Sequence, residues 1–322
     1  MSRYFLGCIL ALLCLNLPAQ DLSSRRMSSK ALDNAHILAK QGRYGQLVDI
    51  LLPLLNSSGL DVEDRAQALV LLAAAYQVLG QFSESHRMLD QSLSLLRDHP
   101  RFLVKDADAL ANLSVLYRDT GDHDAMKQTA LKALELYEHT NDHAGLLTVY
   151  VVLAQDSVNR RKSADAEHYL AQAAGEFTQL NKPEDVNRIA LVDLQGAIAL
   201  LEGHPVVAAE DYQQSLEMSI RVKGRLHPET GWGYMLLGKA DLKAGDVTFA
   251  LAYMSQGLTI LAATDGPESV AYLYSEVAYS EALAADGQRS QARQLKAGAK
   301  QALAALYRDQ CARCQINVAA LQ

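Results

Sequence analysis

Apolar residues recur three and four positions apart along most of the chain, and glycine interrupts them at regular places. Around Gly245 the pattern is clearest: Tyr234, Leu237 and Gly238 precede it, and Phe249, Ala250, Tyr253 and Met254 follow. This spacing predicts two amphipathic helices joined by a tight turn. The glycine stands where the first helix stops and the chain reverses, a place that favours positive φ. Between Gly196 and Leu303 the same punctuation returns three times. A small residue (Gly196, Gly238, Ser280) is followed seven positions on by glycine (Gly203, Gly245, Gly287), and five positions further by alanine (Ala208, Ala250, Ala292). The glycines are 42 residues apart both times. A fixed period of this kind predicts stacked helical hairpins. The small residue and the alanine are expected to face each other, so that helix axes cross near the short end of the usual ~8–10 Å.

Towards the N-terminus the turn position is held by Gly42, Gly80 and Gly121, and then by Arg161. Seven units result, at about 28–55, 66–96, 107–136, 147–174, 189–217, 231–260 and 273–303. The segment Lys182-Pro183-Glu184-Asp185 breaks the chain before the fifth. Residues 304–322 form a cap and tail. A helix to about Arg308 is expected to cover the last apolar face, since a terminal repeat otherwise exposes it. The stretch Gln315–Leu321 reads as a strand or a loose tail.

The sixth unit, Tyr234-Met-Leu-Leu-Gly-Lys-Ala-Asp-Leu-Lys-Ala-Gly-Asp-Val-Thr-Phe-Ala250, resembles the tetratricopeptide repeat: a large residue, Leu-Gly, a turn glycine and spaced small residues. Asp241 stands where that repeat usually has an aromatic. The 42-residue period, longer than the common 34, is similar to the kinesin-light-chain variety. Units of that kind are often introduced by Gly-x-x-His-Pro-Asp/Glu, which Gly224-Arg-Leu-His-Pro-Glu-Thr230 supplies and Asp265-Gly-Pro-Glu-Ser-Val-Ala271 echoes without the histidine. Proline at a first helical position needs no N–H there, and the glutamate suits the helix N-terminus.

The resemblance implies an all-α, right-handed superhelical solenoid of about seven hairpins with a C-terminal capping helix. It also implies that the first helix of each hairpin lines a concave groove. Counting from the turn residues, that groove would present Arg118, Gln155, Asp193, Trp232, Lys239, Tyr274 and Glu281, with Asn112, Asn159 and Lys243 beside them. Trp232 reads either as an anchor in the groove or as packing against a neighbour. The implied function is a non-catalytic scaffold for a protein or peptide partner. The lysine-and-asparagine clamp by which some such domains hold a C-terminal carboxylate is not reproduced, which speaks against a chaperone-tail adaptor.

Hydrophobic residues at 49% with aromatics at only 6% fit an alanine- and leucine-rich helical stack. The net charge of −7 disfavours general affinity for nucleic acid or an anionic membrane. Residues 1–19 read as a secretory signal: Arg3, the apolar run Tyr4–Leu15, and a cleavage site after Ala19. The run is short for a ~30 Å hydrocarbon core, so no stable membrane insertion is expected after cleavage. A polar linker, 20–27, follows. Neither Cys8 nor Cys14 makes a good lipobox. The expected location is the bacterial periplasm or the medium.

After signal removal the cysteines left are Cys311 and Cys314, and an oxidising compartment favours their pairing as a disulfide. Free thiols and a redox role stay open, although no thioredoxin-type βαβ pattern accompanies them. His139 and His143 bracket a loop but lack a third ligand at zinc spacing. Asn56-Ser-Ser58 matches a glycosylation acceptor, relevant only in a eukaryotic secretory pathway. No phosphate loop, nucleophile elbow or dinucleotide fingerprint occurs, so no enzyme activity, cofactor or metal is expected. The alternatives are an envelope redox protein or enzyme using Cys311 and Cys314, and a cytosolic repeat-containing regulator.

Overall fold

A computed structural model describes residues 19–57, 59–180 and 185–310. These residues form fourteen α-helices and one short 3-10 turn, with no strand among them. The helices pair as α1 (Ala19–Lys40) with α2 (Tyr44–Leu55), α3 (Val62–Val78) with α4 (Phe82–Leu96), α5 (Leu103–Asp119) with α6 (His123–Thr140), and α7 (His143–Asn159) with α8 (Ser163–Gln179). Then follow α9 (Asp185–Leu201) with α10 (Pro205–Lys223), α11 (Pro228–Ala244) with α12 (Val247–Thr264), and α13 (Val270–Ala285) with α14 (Arg289–Gln310). Residues 20–27, expected as a linker, belong to α1. Residues 1–18, Cys311, Cys314 and the stretch 315–321 lie outside the described residues.

Local chemistry sets the helix ends. Asp61, Asp122 and Ser269 each accept a backbone N–H three residues on, which satisfies a donor the helix leaves free. At the hairpin turns the backbone is left-handed throughout, with φ from 56° at Arg161 to 97° at Gly245. Arg161 therefore bears the strain that glycine avoids at the other turns. Replacing Arg161 with glycine is expected to stabilise the chain by about 1 kcal/mol in urea unfolding.

Within a hairpin the two helices touch where side chains are smallest. A Cβ built on Gly238 would stand 2.7 Å from Met254 Cγ and 3.0 Å from the carbonyl oxygen of Ala250. Gly238→Leu is thus expected to force α11 and α12 apart and to cost about 1–3 kcal/mol, read as a lower melting temperature. Successive odd-numbered helices also pack on one another, α1 on α3 through to α7 on α9, and α11 on α13. They form the inner layer of the solenoid, and the even-numbered helices form the outer one. The helix α12 is long and apolar enough by composition to cross a membrane. It packs here between α11 and α13, with Ala250, Met254 and Leu261 in the core.

The solenoid winds far enough to meet itself. Gly42, at the first turn, faces Pro228 at the start of the sixth unit, and Gly80, at the second turn, faces Val270 at the start of the seventh together with Leu306. The offset is five units in both places. His227 joins the same seam: its Nε2–H donates to the Lys40 carbonyl (3.2 Å), while Nδ1 accepts the Glu229 N–H at the start of α11. Tyr307 stacks on Phe82 with ring centroids 5.2 Å apart and donates to the carbonyl of Asp119 (3.2 Å). Leu273, Val277, Ala299, Leu303 and Tyr307 consequently share one apolar cluster with α1 to α5.

Candidate functional site

The inner layer carries the polar side chains that a ligand would meet. Where α1, α3, α5 and α7 run side by side they enclose a cleft of about 350 Å³. Its polar lining includes His36, Gln67, Lys105, Asp108, Asn112 and Tyr137, with Asp142 and Thr148 from the start of the fourth unit. Tyr137 comes from the outer helix α6 and reaches the cleft because Gly145 leaves its ring room; a Cβ there would lie 2.3 Å from the ring. The Tyr137 hydroxyl donates to Asp108 Oδ1 (2.7 Å). Burial holds the Asp108 carboxyl above its ordinary range, and the tyrosine bond offsets part of that rise. Burial and the nearby Lys105 lower the pKa of His36, which stays neutral and accepts from Gln67 Nε2 (2.5 Å). The cleft therefore offers amide, imidazole and hydroxyl groups together with one lysine and the carboxylates of Asp108 and Asp142, donors and acceptors of the kind that peptide groups pair with.

At the turn end of the inner layer a second set forms a chain. Gln77 donates to Asp119 (2.6 Å), Asp119 accepts from Arg118 (2.8 and 2.9 Å), and Arg118 donates to Gln155. Through Tyr307, which bonds both the Asp119 carbonyl and the Tyr274 hydroxyl (3.0 Å), the chain reaches α13. Arg118, Gln155 and Tyr274, drawn from three different units, thus come together.

A third set lies on α11 and α13. Lys239 sits beside Glu281, which also accepts from Lys296 (3.2 Å). Burial pulls the Lys239 pKa down. Lys243 is exposed one turn further on. Trp232 is two turns before Lys239 on the same stripe and is 42% exposed, its neighbours Gly231 and Gly233 packing on α12 and α10. The tryptophan is not a core residue.

The remaining expected residues, Asn112, Asn159 and Asp193, are not brought together with one another. Asn112 lines the cleft, but its amide donates to the Asp108 carbonyl (2.8 Å). Asn159 closes α7, half-buried, one turn beyond Gln155. Asp193 is sunk between α9 and α10, where Ser215 Oγ donates to it, and burial pushes its carboxyl up to about 6. Below its ordinary pKa Asp193 is neutral in both folded and unfolded chains and costs nothing; between about pH 4 and 6 the penalty for ionising it grows, and above pH 6 it is complete. Asp193→Asn keeps an acceptor for Ser215. It should stabilise the protein by about 1–2 kcal/mol at pH 7, less than the full ~3 kcal/mol because the new amide N–H needs a partner. The gain should vanish by pH 4, as urea unfolding at the two pH values would record.

His36, Gln67 and Asp108 were within reach of the sequence, since each falls on a groove position when counted back from Gly42, Gly80 or Gly121. Tyr137 was not, because its access depends on Gly145 in the next helix. His139 and His143 are not joined: His143 bonds Glu176 (2.7 Å). Among the described residues no group of three or more His, Cys, Asp or Glu could hold a metal ion.

No protein-family model matches the chain, and no curated protein matches it. Solved structures do. A Rap protein complexed with Competence and Sporulation Factor is 12% identical over 88% of this chain and 78% of its own, with a TM-score of 0.63. The Cut9–Hcn1 hetero-tetramer of the APC/C matches at 17% identity over 87% of this chain and 52% of that one, with a TM-score of 0.54. A signal transduction ATPase of Pyrococcus horikoshii with a tetratricopeptide repeat sensor is 13% identical over 84% of this chain and 41% of that one, with a TM-score of 0.52. The fold is a tetratricopeptide-repeat solenoid. At these identities the likeness is one of architecture, and the tetratricopeptide hairpins here are lengthened to a 42-residue step in the last three units.

Proposed function

We propose that this tetratricopeptide solenoid is a non-catalytic scaffold that holds a segment of a protein or peptide partner against its inner layer, and that it works in the envelope of a bacterial-type cell or outside it. The observation that carries the reading is the cleft between α1, α3, α5 and α7, where His36, Gln67, Lys105, Asp108 and Asn112 converge on a space of about 350 Å³. A segment lying along it would meet hydrogen-bonding groups of both senses. The reading is supported by the similarly folded Rap protein, which is complexed with Competence and Sporulation Factor. Export is supported by the apolar run Tyr4–Leu15 behind Arg3, and the acidic balance argues against nucleic acid.

Photo-crosslinking in the native host tests both halves. A photoreactive residue at Thr148, in the cleft, should yield a partner adduct in the envelope fraction, and one at Lys132, exposed on the outer helix α6, should not. Adducts from neither position would end the binding reading. Full-length protein confined to the cytosol would overturn the location.

A further inference from the structure

The outer layer carries a groove that the inner-layer reading leaves unused. It starts from one repeat position, four residues before the turn. Units two and three have Tyr76 and Tyr117 there, and unit six has Asp241. In unit three the tyrosine ring reaches His86 of the preceding outer helix (ring centroids 5.8 Å) and fills the space between outer helices. Asp241 is too short to do so. A groove of about 580 Å³ is left between α10 and α12, floored by the last turns of α11.

Its walls are apolar and uncovered. Phe249 is 59% and Val206 63% exposed, and Tyr253 stacks against Phe249 with centroids 6.4 Å apart. Its polar rim holds the amides of Gln213 and Gln214, the first donating to Glu217 (2.7 Å), and every charged group on it is acidic: Glu210 and Glu217 on α10, and Asp246 at the start of α12, whose side chain makes no capping bond. No lysine, arginine or histidine lines it. Burial and the like charge of Asp246 both raise the Asp241 carboxyl, which a cation placed there would relieve.

We propose that this outer groove docks an amphipathic basic helix of a partner protein, with an apolar side chain seated among Val206, Phe249 and Tyr253 and with lysine or arginine on the carboxylates of Glu210, Glu217, Asp241 and Asp246. The helical form follows from the walls. The outer helices α10 and α12 both run antiparallel to α11 and hence parallel to each other, and Val206 to Glu217 spans about 16 Å, or three helical turns. A pair of parallel ridges with a recessed floor is the setting in which a helix lies in a groove. Charge complementarity selects a basic helix. This chain's own basic helix does not fit as the occupant in a second copy: the exposed face of α14 presents Arg289, Arg293, Lys300 and Arg308, and its exposed apolar side chains are the alanines Ala297, Ala302 and Ala305, too short to fill the pocket. The proposal is independent of the inner-layer reading.

The test uses the full chain and a fluorescein-labelled leucine–lysine amphipathic peptide of twelve residues, with the same peptide bearing glutamate for lysine as its counterpart. Fluorescence anisotropy should show saturable binding of the lysine peptide that weakens with salt, and none of the glutamate peptide. Asp241→Tyr, which restores the tyrosine of units two and three, should weaken binding at least tenfold with helicity unchanged. Should that variant misfold, Glu210→Lys with Glu217→Lys on the exposed face of α10 should produce the same loss. Gln67→Ala in the inner cleft should leave binding intact, so the two faces are distinguishable. Three outcomes overturn the proposal: equal binding by wild type and the groove variants, binding of the glutamate peptide, or a wild type that self-associates and becomes monomeric with Asp241→Tyr, which would make a second copy the occupant.

Discussion

Tyr307→Ala should cost about 3–5 kcal/mol, the range for removing a buried aromatic side chain, and the loss should appear in units two and three as well as in the last. Tyr307 is 3% exposed. It stacks on Phe82 at the start of α4, donates to the Asp119 carbonyl at the end of α5, and shares a hydrogen bond with Tyr274 of its own unit. A residue that merely capped the final hairpin would affect α13 and α14 alone, because in a linear array each unit touches only its neighbours. Here the array closes on itself, so amide hydrogen exchange should quicken in α4 and α5 too. Tyr307→Phe keeps the stack and loses the hydroxyl, and should cost about 1 kcal/mol. Exchange confined to α13 and α14 would mean that the seam between unit seven and units two and three holds nothing.

The sequence carried the hairpins in plain view because they rest on local rules: three-and-four spacing, a residue able to turn left-handed, and a small residue opposite an alanine. Gly238 and Ala250 meet as their spacing implies, and even Arg161, without the glycine, takes the turn conformation. What the sequence did not carry is how tightly the units wind. Winding depends on the sum of small rotations between neighbours, and no residue announces that Gly42 will face Pro228, some 186 residues away. The site shows the same division. Arg118 and Gln155 lie on inner positions one unit apart and are bonded, whereas their link to Tyr274 runs through Tyr307 and exists only because the chain overlaps itself. Asp193 also occupies an inner position by counting, yet its carboxyl turns to Ser215 below the surface, which counting cannot foresee.

Overlap changes what the inner face can do. In an open superhelix the inner helices of distant units look at each other across solvent, and a ligand can enter from the side. When units six and seven rest on units one and two, the inner face becomes the wall of a narrow spiral, and a segment of partner must follow it or the seam must part. The His227 bond to the Lys40 carbonyl and the contact at Gly42 are the places where parting would begin.

Gly42→Val tests that seam directly. Two costs combine at this residue. Its φ of 69° is a left-handed conformation that a β-branched residue adopts at a cost of about 1–2 kcal/mol. A Cβ there would also lie 2.6 Å from Pro228 Cδ and Cγ, so the sixth unit must move away from the first, at about 1–3 kcal/mol for overpacking. The expected total is about 2–5 kcal/mol. Gly203→Val separates the two costs, because Gly203 has a φ of 85° but nothing within 4 Å of its added Cβ. It should lose the backbone part alone. If the seam holds the spiral closed, Gly42→Val should also enlarge the radius of gyration in small-angle scattering while Gly203→Val leaves it unchanged. Equal losses and equal radii for the two variants would mean that the first and sixth units touch without holding each other, and that the inner face is open to a partner from the side.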